Sequence, residues 1–241
     1  MIYSSEAIVL ENKVYGEADL IVTYLTKEFG ILNLFAKSPR KIKSRFGSSL
    51  EPLTYSKIAF IGREDKLQKI IQSDILHSFQ KIRENYKIFL NLEEVIRLII
   101  QISPKREKHP ELFSLLLSIL EEIENSDKWG NYILFLKIRV LGILGYFPDI
   151  RYCGSCGRDL NGYSFYLRGF ILCGSCLSKN YVDDSENKPS EALSIQKGVI
   201  DFLNSFLKWQ IHHLERVKIN EKLMNQVENF LKRHITLTVK L

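Results

Sequence analysis

Two copies of one four-residue pattern, Cys153-Gly154-Ser155-Cys156 and Cys173-Gly174-Ser175-Cys176, constrain this chain more than any other feature. They hold all four of its cysteines and stand 16 residues apart. A zinc ion takes four ligands in a tetrahedron, and each Cys-x-x-Cys bend can present two thiolates. Glycine inside each bend gives the backbone room to curl round the sulphurs. The spacer reads as two strands, residues 163–167 and 170–172, that meet at Arg168-Gly169. A hairpin of that length brings the second pair back to face the first. The pattern is that of a zinc ribbon over residues 150–178, with Cys153, Cys156, Cys173 and Cys176 holding one structural Zn2+ ion. Four protein thiolates leave no open position for water or substrate. Apparent zinc-binding energies in small finger peptides are about 10–16 kcal/mol, so a ribbon of this size is expected to need its metal to fold. Free thiols or a redox pair are the alternatives. A redox Cys-x-x-Cys sits beside a βαβ pattern, and none is visible.

The segments on either side differ in texture. Up to about residue 79 they are short, β-rich and punctuated by turns: Ala7-Ile8-Val9-Leu10, then residues 20–25, 31–36, 54–61 and 67–75. Five short strands in so few residues predict a small closed sheet, because closure removes vulnerable edges. From residue 80 to 147 the apolar period turns helical. Phe89, Leu92, Val95, Ile96 and Ile99 form one stripe, Phe113, Leu116, Leu117 and Leu120 a second, and Ile133, Leu136, Val140 and Leu144 a third. Pro104 and Pro110 punctuate the first connection, Ser126 and Asp127 are candidate caps, and Pro148 follows the third stripe. More helix is expected after Pro189, with Ile195, Val199, Phe202, Leu203 and Phe206 on one apolar face and Leu223, Val227, Phe230 and Leu231 on another. Residues 183–188 read as a polar linker. The expected class is α+β: a β-barrel domain at 1–79, then a helical domain at 80–241 that carries the ribbon.

The chain has 241 residues and a net charge of +6, which suits a nucleic-acid partner without identifying one. The charge is unevenly placed. No acidic residue lies between Glu28 and Glu51, and that gap holds Lys37, Arg40, Lys41, Lys43 and Arg45, five cations in nine positions. Residues 81–150, by contrast, carry ten basic and ten acidic side chains. Ser38, Pro39, Ser44 and Gly47 mark the basic stretch as a loop. A cationic loop leaving a barrel can follow a phosphate backbone while nearby aromatics stack on bases. A solvated loop with no partner is the other reading. Phe46, just after the loop, suits a core anchor at least as well as a base-stacking role.

Several chemistries lack their usual signatures. There is no Gly-x-x-x-x-Gly-Lys-Ser/Thr loop, no His-Glu-x-x-His and no Gly-x-Ser-x-Gly. The five histidines, His77, His109, His212, His213 and His234, read as surface or partly buried residues, so no enzyme is expected. The N-terminus does not read as a signal peptide, and no window approaches the roughly 18 apolar residues of a membrane span. The expectation is a cytoplasmic, nucleoid-associated protein with no membrane partner.

Several pieces, taken in order, carry a resemblance. They are Tyr15-Gly16-Glu17-Ala18-Asp19-Leu20, Ala36-Lys37-Ser38-Pro39-Arg40-Lys41, Arg45-Phe46-Gly47 with Leu50-Glu51-Pro52, and residues 141–149 leading into the cysteine pairs. With these the chain resembles the bacterial RecO family of DNA repair proteins. The resemblance implies an N-terminal OB-fold joined to a helical domain that carries a zinc ribbon. It also implies a recombination mediator that binds single- and double-stranded DNA and anneals complementary strands. With RecR, such a mediator helps load RecA onto strands coated by single-stranded-DNA-binding protein. An RNA-binding or transcription-associated protein is the alternative, since barrels and ribbons serve RNA equally well.

Overall fold

The computed structural model describes residues 1–40, 44–160, 162–182 and 192–239. Lys41, Lys43 and the expected linker at 183–188 lie outside the described residues. Packing divides the chain into two compact units, Met1–Leu136 and Lys137–Leu241.

The first unit begins with five strands, β1 (Ile2–Tyr15), β2 (Asp19–Thr26), β3 (Gly30–Ala36), β4 (Tyr55–Ile61) and β5 (Gln68–His77). They close in the order β1-β2-β3-β5-β4, the arrangement of an OB-type barrel. Closure needs one long strand to serve two neighbours. The first half of β1 pairs with β4 from Ile2 to Ile8, and the second half pairs with β2 from Ala7 to Tyr15. An irregularity between Val9 and Glu11 lets the strand turn from one partner to the other. It also explains why Ile8, Val9 and Leu10 are buried in succession instead of alternating. The one parallel pairing, Leu34 with Gln68 and Phe35 with Lys69, seals the barrel between β3 and β5. Inside it sit Val9, Val22, Tyr24, Leu34, Phe46, Ile58, Phe60 and Ile70. Phe46 is only 4% exposed, so the reading of it as a core anchor holds.

Four helices follow: α1 (Gln80–Glu84), α2 (Tyr86–Ile102), α3 (Pro110–Asn125) and α4 (Trp129–Ile143). Asn85 caps α2 by accepting the Ile88 N–H at 3.2 Å, and Pro110 opens α3, where its missing N–H costs nothing. Of the stripes expected on α2 and α3, Leu92, Val95, Ile96, Ile99, Phe113, Leu116 and Leu120 are buried, each contributing roughly 1.5–3 kcal/mol, while Phe89 and Leu117 are only half-buried. On α4 burial extends beyond one stripe, to Tyr132, Leu134, Phe135, Ile138 and Leu141. α1 to α3 share a unit with the barrel: Arg83 donates to the Pro52 and Ser78 carbonyls, and the Tyr55 and Phe113 rings lie 6.2 Å apart.

The second unit is built on a three-stranded sheet. β6 (Ser164–Leu167) and β7 (Phe170–Cys173) form the expected hairpin, and Arg168 and Gly169 both take positive φ, as a two-residue type I′ turn requires. Two elements were not expected. Helix α5 (Gly174–Val182) grows directly out of the second cysteine pair, and strand β8 (Leu193–Ile195) joins the free edge of β6. Ile195 therefore ends a strand instead of starting a helical face; three residues are too few to show a strand period in the sequence. The later stripes do form α6 (Lys197–Lys208) and α7 (Glu221–Thr238). One face of the sheet packs on α7, where the Tyr166 ring lies 5.3 Å from Phe230. Among the described residues no helix is long and apolar enough to cross a membrane.

Candidate metal centre and nucleic-acid interface

The hairpin brings all four cysteines together. Their sulphurs lie within 4.8 Å of one another, and Cys156 and Cys173 are 3.8 Å apart. Zinc–sulphur bonds of about 2.3 Å give a tetrahedron edge of about 3.8 Å, so the cluster is at the size a metal ion needs. No two of the thiols are bonded to each other. The first pair is a knuckle held by its own backbone. The Cys153 N–H donates to the Arg158 carbonyl at 2.8 Å and the Gly157 N–H to the Cys153 carbonyl at 2.9 Å. The Gly154 N–H then hooks the knuckle to β7 through the Ile171 carbonyl at 2.8 Å.

The second pair is built differently: Cys173 ends β7 and Cys176 lies in the first turn of α5. The glycines also act otherwise than expected. Neither Gly154 nor Gly174 takes a positive φ; Gly157, just past the knuckle, does, at 69°. Gly154 is small for another reason, since a side chain there would meet the Phe170 ring at 3.0 Å.

The electrostatics suit a cation. At Cys153 burial opposes ionisation, but the N–H groups of Cys173, Cys156 and Ser155 outweigh it and hold the thiol down at about 6. The Cys173 N–H reaches that sulphur at 3.3 Å. At Cys176 the Ser155 hydroxyl favours ionisation, yet Cys156, burial, Cys173 and Cys153 together push the thiol up to about 12. Cys153 thus ionises readily while Cys176 resists, and a cation among the sulphurs would favour the thiolate form of both. The donor set and spacing are those that could hold one zinc ion.

The cationic residues stand elsewhere. Lys37 and Arg40 follow β3 directly, Arg45 comes a few residues later, and all three are exposed. The Arg40 backbone N–H meets the Ala18 carbonyl at 3.4 Å, and its guanidinium donates to the Glu17 carbonyl at 3.2 Å. Its partners are peptide groups, so its charge is not cancelled there. Ser38, at positive φ, donates its N–H to the Asp19 carboxylate at 2.6 Å and fixes the start of the loop. The Arg45 guanidinium lies 4.9 Å over the ring of the buried Phe46.

Sequence reasoning missed a neighbouring row on the outside of the barrel. Lys13, Ile21, Phe35 and Lys69 are successive cross-strand partners, facing away from the core that Val22, Leu34 and Ile70 fill. Tyr15, 55% exposed, sets its ring edge-on to Phe35 at 6.0 Å. Lys13 is balanced by Glu11 at 3.0 Å; Lys69 pairs with no carboxylate among the described residues. Phe35 is an aromatic at an outward position of an alternating strand, and that register was the available signal.

His234 also departs from expectation. It is 1% exposed, and its ring links the Tyr166 hydroxyl, 2.8 Å from Nδ1, to the Tyr146 carbonyl, 2.6 Å from Nε2. Burial holds its pKa below the usual histidine range, against the pull of that carbonyl. The neutral ring satisfies both partners, Nε2–H donating and Nδ1 accepting.

Comparison with known proteins agrees with this arrangement. The family model "Recombination protein O N terminal" matches residues 1–79, and "Recombination protein O C terminal" matches residues 94–240. A protein named DNA repair protein RecO from Thermodesulfovibrio yellowstonii is 58% identical over 235 residues, 98% of this chain and 92% of the relative. Proteins of the same name are similar at 28% identity in Dehalococcoides mccartyi, over 97% of this chain and 89% of the relative, and at 25% in Pelotomaculum thermopropionicum, over 98% and 88%.

Proposed function

Because the chain belongs to the recombination protein O family, whose role is in DNA repair and recombination, we propose that it is a mediator that binds single- and double-stranded DNA and anneals complementary strands. With RecR it helps load RecA onto strands coated by single-stranded-DNA-binding protein. The observation that carries this reading is the surface at the end of β3. There the loop cations Lys37, Arg40 and Arg45 lie close in the chain to an outward pair of aromatic rings, Tyr15 and Phe35.

Each part has a task. Lys37, Arg40, Lys41, Lys43 and Arg45 neutralise phosphates, which releases condensed counterions and supplies affinity without reading sequence. Tyr15 and Phe35 offer ring faces to unpaired bases. Annealing needs no covalent step, so this is a binding protein and not an enzyme. Screening the repulsion between two strands held on one body raises their effective concentration. Cys153, Cys156, Cys173 and Cys176 would hold one zinc ion, whose chemistry is structural: it pins the knuckle against β7 and the start of α5. In this division residues 1–79 meet nucleic acid and residues 80–241 form the supporting body, in the cytoplasm and at the nucleoid.

The test is annealing of complementary oligonucleotides, bare and coated with single-stranded-DNA-binding protein, with matched RNA as competitor. The reading expects faster annealing on both substrates and a preference for DNA. Annealing at the spontaneous rate would reject it, and a preference for RNA would favour an RNA-binding role.

A further inference from the structure

The hairpin sheet has two faces of opposite character. On one, Ser164, Tyr166, Ile171 and Ile195 are at most 2% exposed, and Tyr166 packs on α7. The other is set by the pairings of Phe165 with Leu172 and Leu167 with Phe170. Here Leu172 is buried, Phe165 and Leu167 are half-buried, and Phe170, toward the turn, is 60% exposed. Tyr163, just before β6, is 75% exposed. Phe170 has a fixed seat, its ring lying against Gly154 in the first cysteine knuckle. Aromatic side chains held out into water by a rigid hairpin serve no core, and such a patch marks a binding surface.

The charge around it identifies the ligand. Arg168 sits in the exposed turn between Leu167 and Phe170, and Arg158 is exposed on the knuckle side. Neither pairs with a carboxylate among the described residues. Arg151 stacks its guanidinium 5.5 Å over Tyr152, another exposed ring. The acidic residues of this stretch are Asp149, 3.6 Å from Arg151, and Asp159. Aromatic faces for bases with unpaired arginines for phosphates suit a single strand, whose bases are free to stack.

We propose that this open face of the ribbon, centred on Phe170, Tyr163 and Arg168, is a second contact for single-stranded nucleic acid, distinct from the loop after β3. The inference rests on the reading of polynucleotide as ligand and adds a site to it. Both faces of the contact depend on the hairpin, so it works only in the metal-loaded protein.

The experiment uses the full chain loaded with zinc and a fluorescein-labelled thirty-nucleotide oligo(dT), read by anisotropy over a salt series. Tyr163→Ala and Phe170→Ala are each expected to weaken binding by about five- to hundredfold, and Phe170→Trp to restore it. Arg168→Ala is expected to flatten the salt slope by about 0.7. All variants should keep one zinc per chain. If Phe170→Ala loses zinc, Tyr163→Ala decides, since that side chain lies outside the strands. Parental binding by Tyr163→Ala and Arg168→Ala overturns the proposal, as does normal DNA binding with lost RecR binding, which would make the face a protein interface. A loop variant with Arg40, Lys41 and Lys43 changed to Glu is measured alongside. If it binds normally while the ribbon variants fail, the barrel assignment falls and this one stands.

Discussion

Replacing Cys153 by serine is the sharpest perturbation of the metal centre. Cys153 is buried, its sulphur accepts the Cys173 N–H, and its own N–H and carbonyl close the knuckle. The backbone contacts survive the substitution, so the change isolates the ligand. If four sulphurs share about 10–16 kcal/mol of apparent zinc-binding energy, losing one removes about 2.5–4 kcal/mol. That weakens zinc by roughly 60- to 700-fold. The assay is competition with a chromophoric chelator, followed by thermal melting with and without metal. The variant should release zinc at far lower chelator concentrations, and the metal-free parent should lose its second unit's transition. Ser155→Ala removes only the hydroxyl that favours the Cys176 thiolate, so it should weaken zinc far less than Cys153→Ser does. Zinc retained by Cys153→Ser at parental affinity, or a metal-free parent melting like the loaded one, would refute the structural role.

Other outcomes follow from the same structure. Phe46→Ala empties a buried position in the barrel and should cost about 3–5 kcal/mol, read as a lower urea midpoint. Tyr15→Ala should weaken single-strand binding by about 1–3 kcal/mol while leaving stability within about 0.5 kcal/mol. His234 is held neutral in the fold, with its pKa below the unfolded value near 6.5. Its contribution is therefore present above about pH 6.5 and is lost as pH falls toward the lowered folded value. Melting temperature should drop from pH 7 to 5 in the parent, and His234→Gln should flatten that drop while lowering stability at neutral pH.

The fold was legible where the chain repeats a simple period or a simple letter. The cysteine pairs, the hairpin at Arg168-Gly169, the five strands and the stripes of α2 and α3 all follow from local pattern. What escaped depends on long-range geometry. The irregularity after Val9 breaks alternation in β1, and the parallel seal of β3 on β5 joins segments with no shared turn. β8 is too short for a period, and α5 starts inside a motif read as a second knuckle. The need for glycine at 154 comes from Phe170, distant in sequence. Tyr15 and Phe35 escaped because an aromatic in a strand reads as core until register puts it outside. His234 falls at an apolar position of α7, and only its two partners explain why a histidine is there.

The central claim is that positive charge fixed at the end of β3 binds polynucleotide backbones. Its most direct test is the affinity of the purified, zinc-loaded chain for a single-stranded oligonucleotide as salt rises from 50 to 200 mM. If Lys37, Arg40, Lys41, Lys43 and Arg45 all meet phosphates, the logarithmic slope is at least about −3.5, a loss on the order of 100-fold, and reversing Arg40, Lys41 and Lys43 flattens it. No binding even in dilute buffer, or a slope the reversal leaves unchanged, would contradict the account.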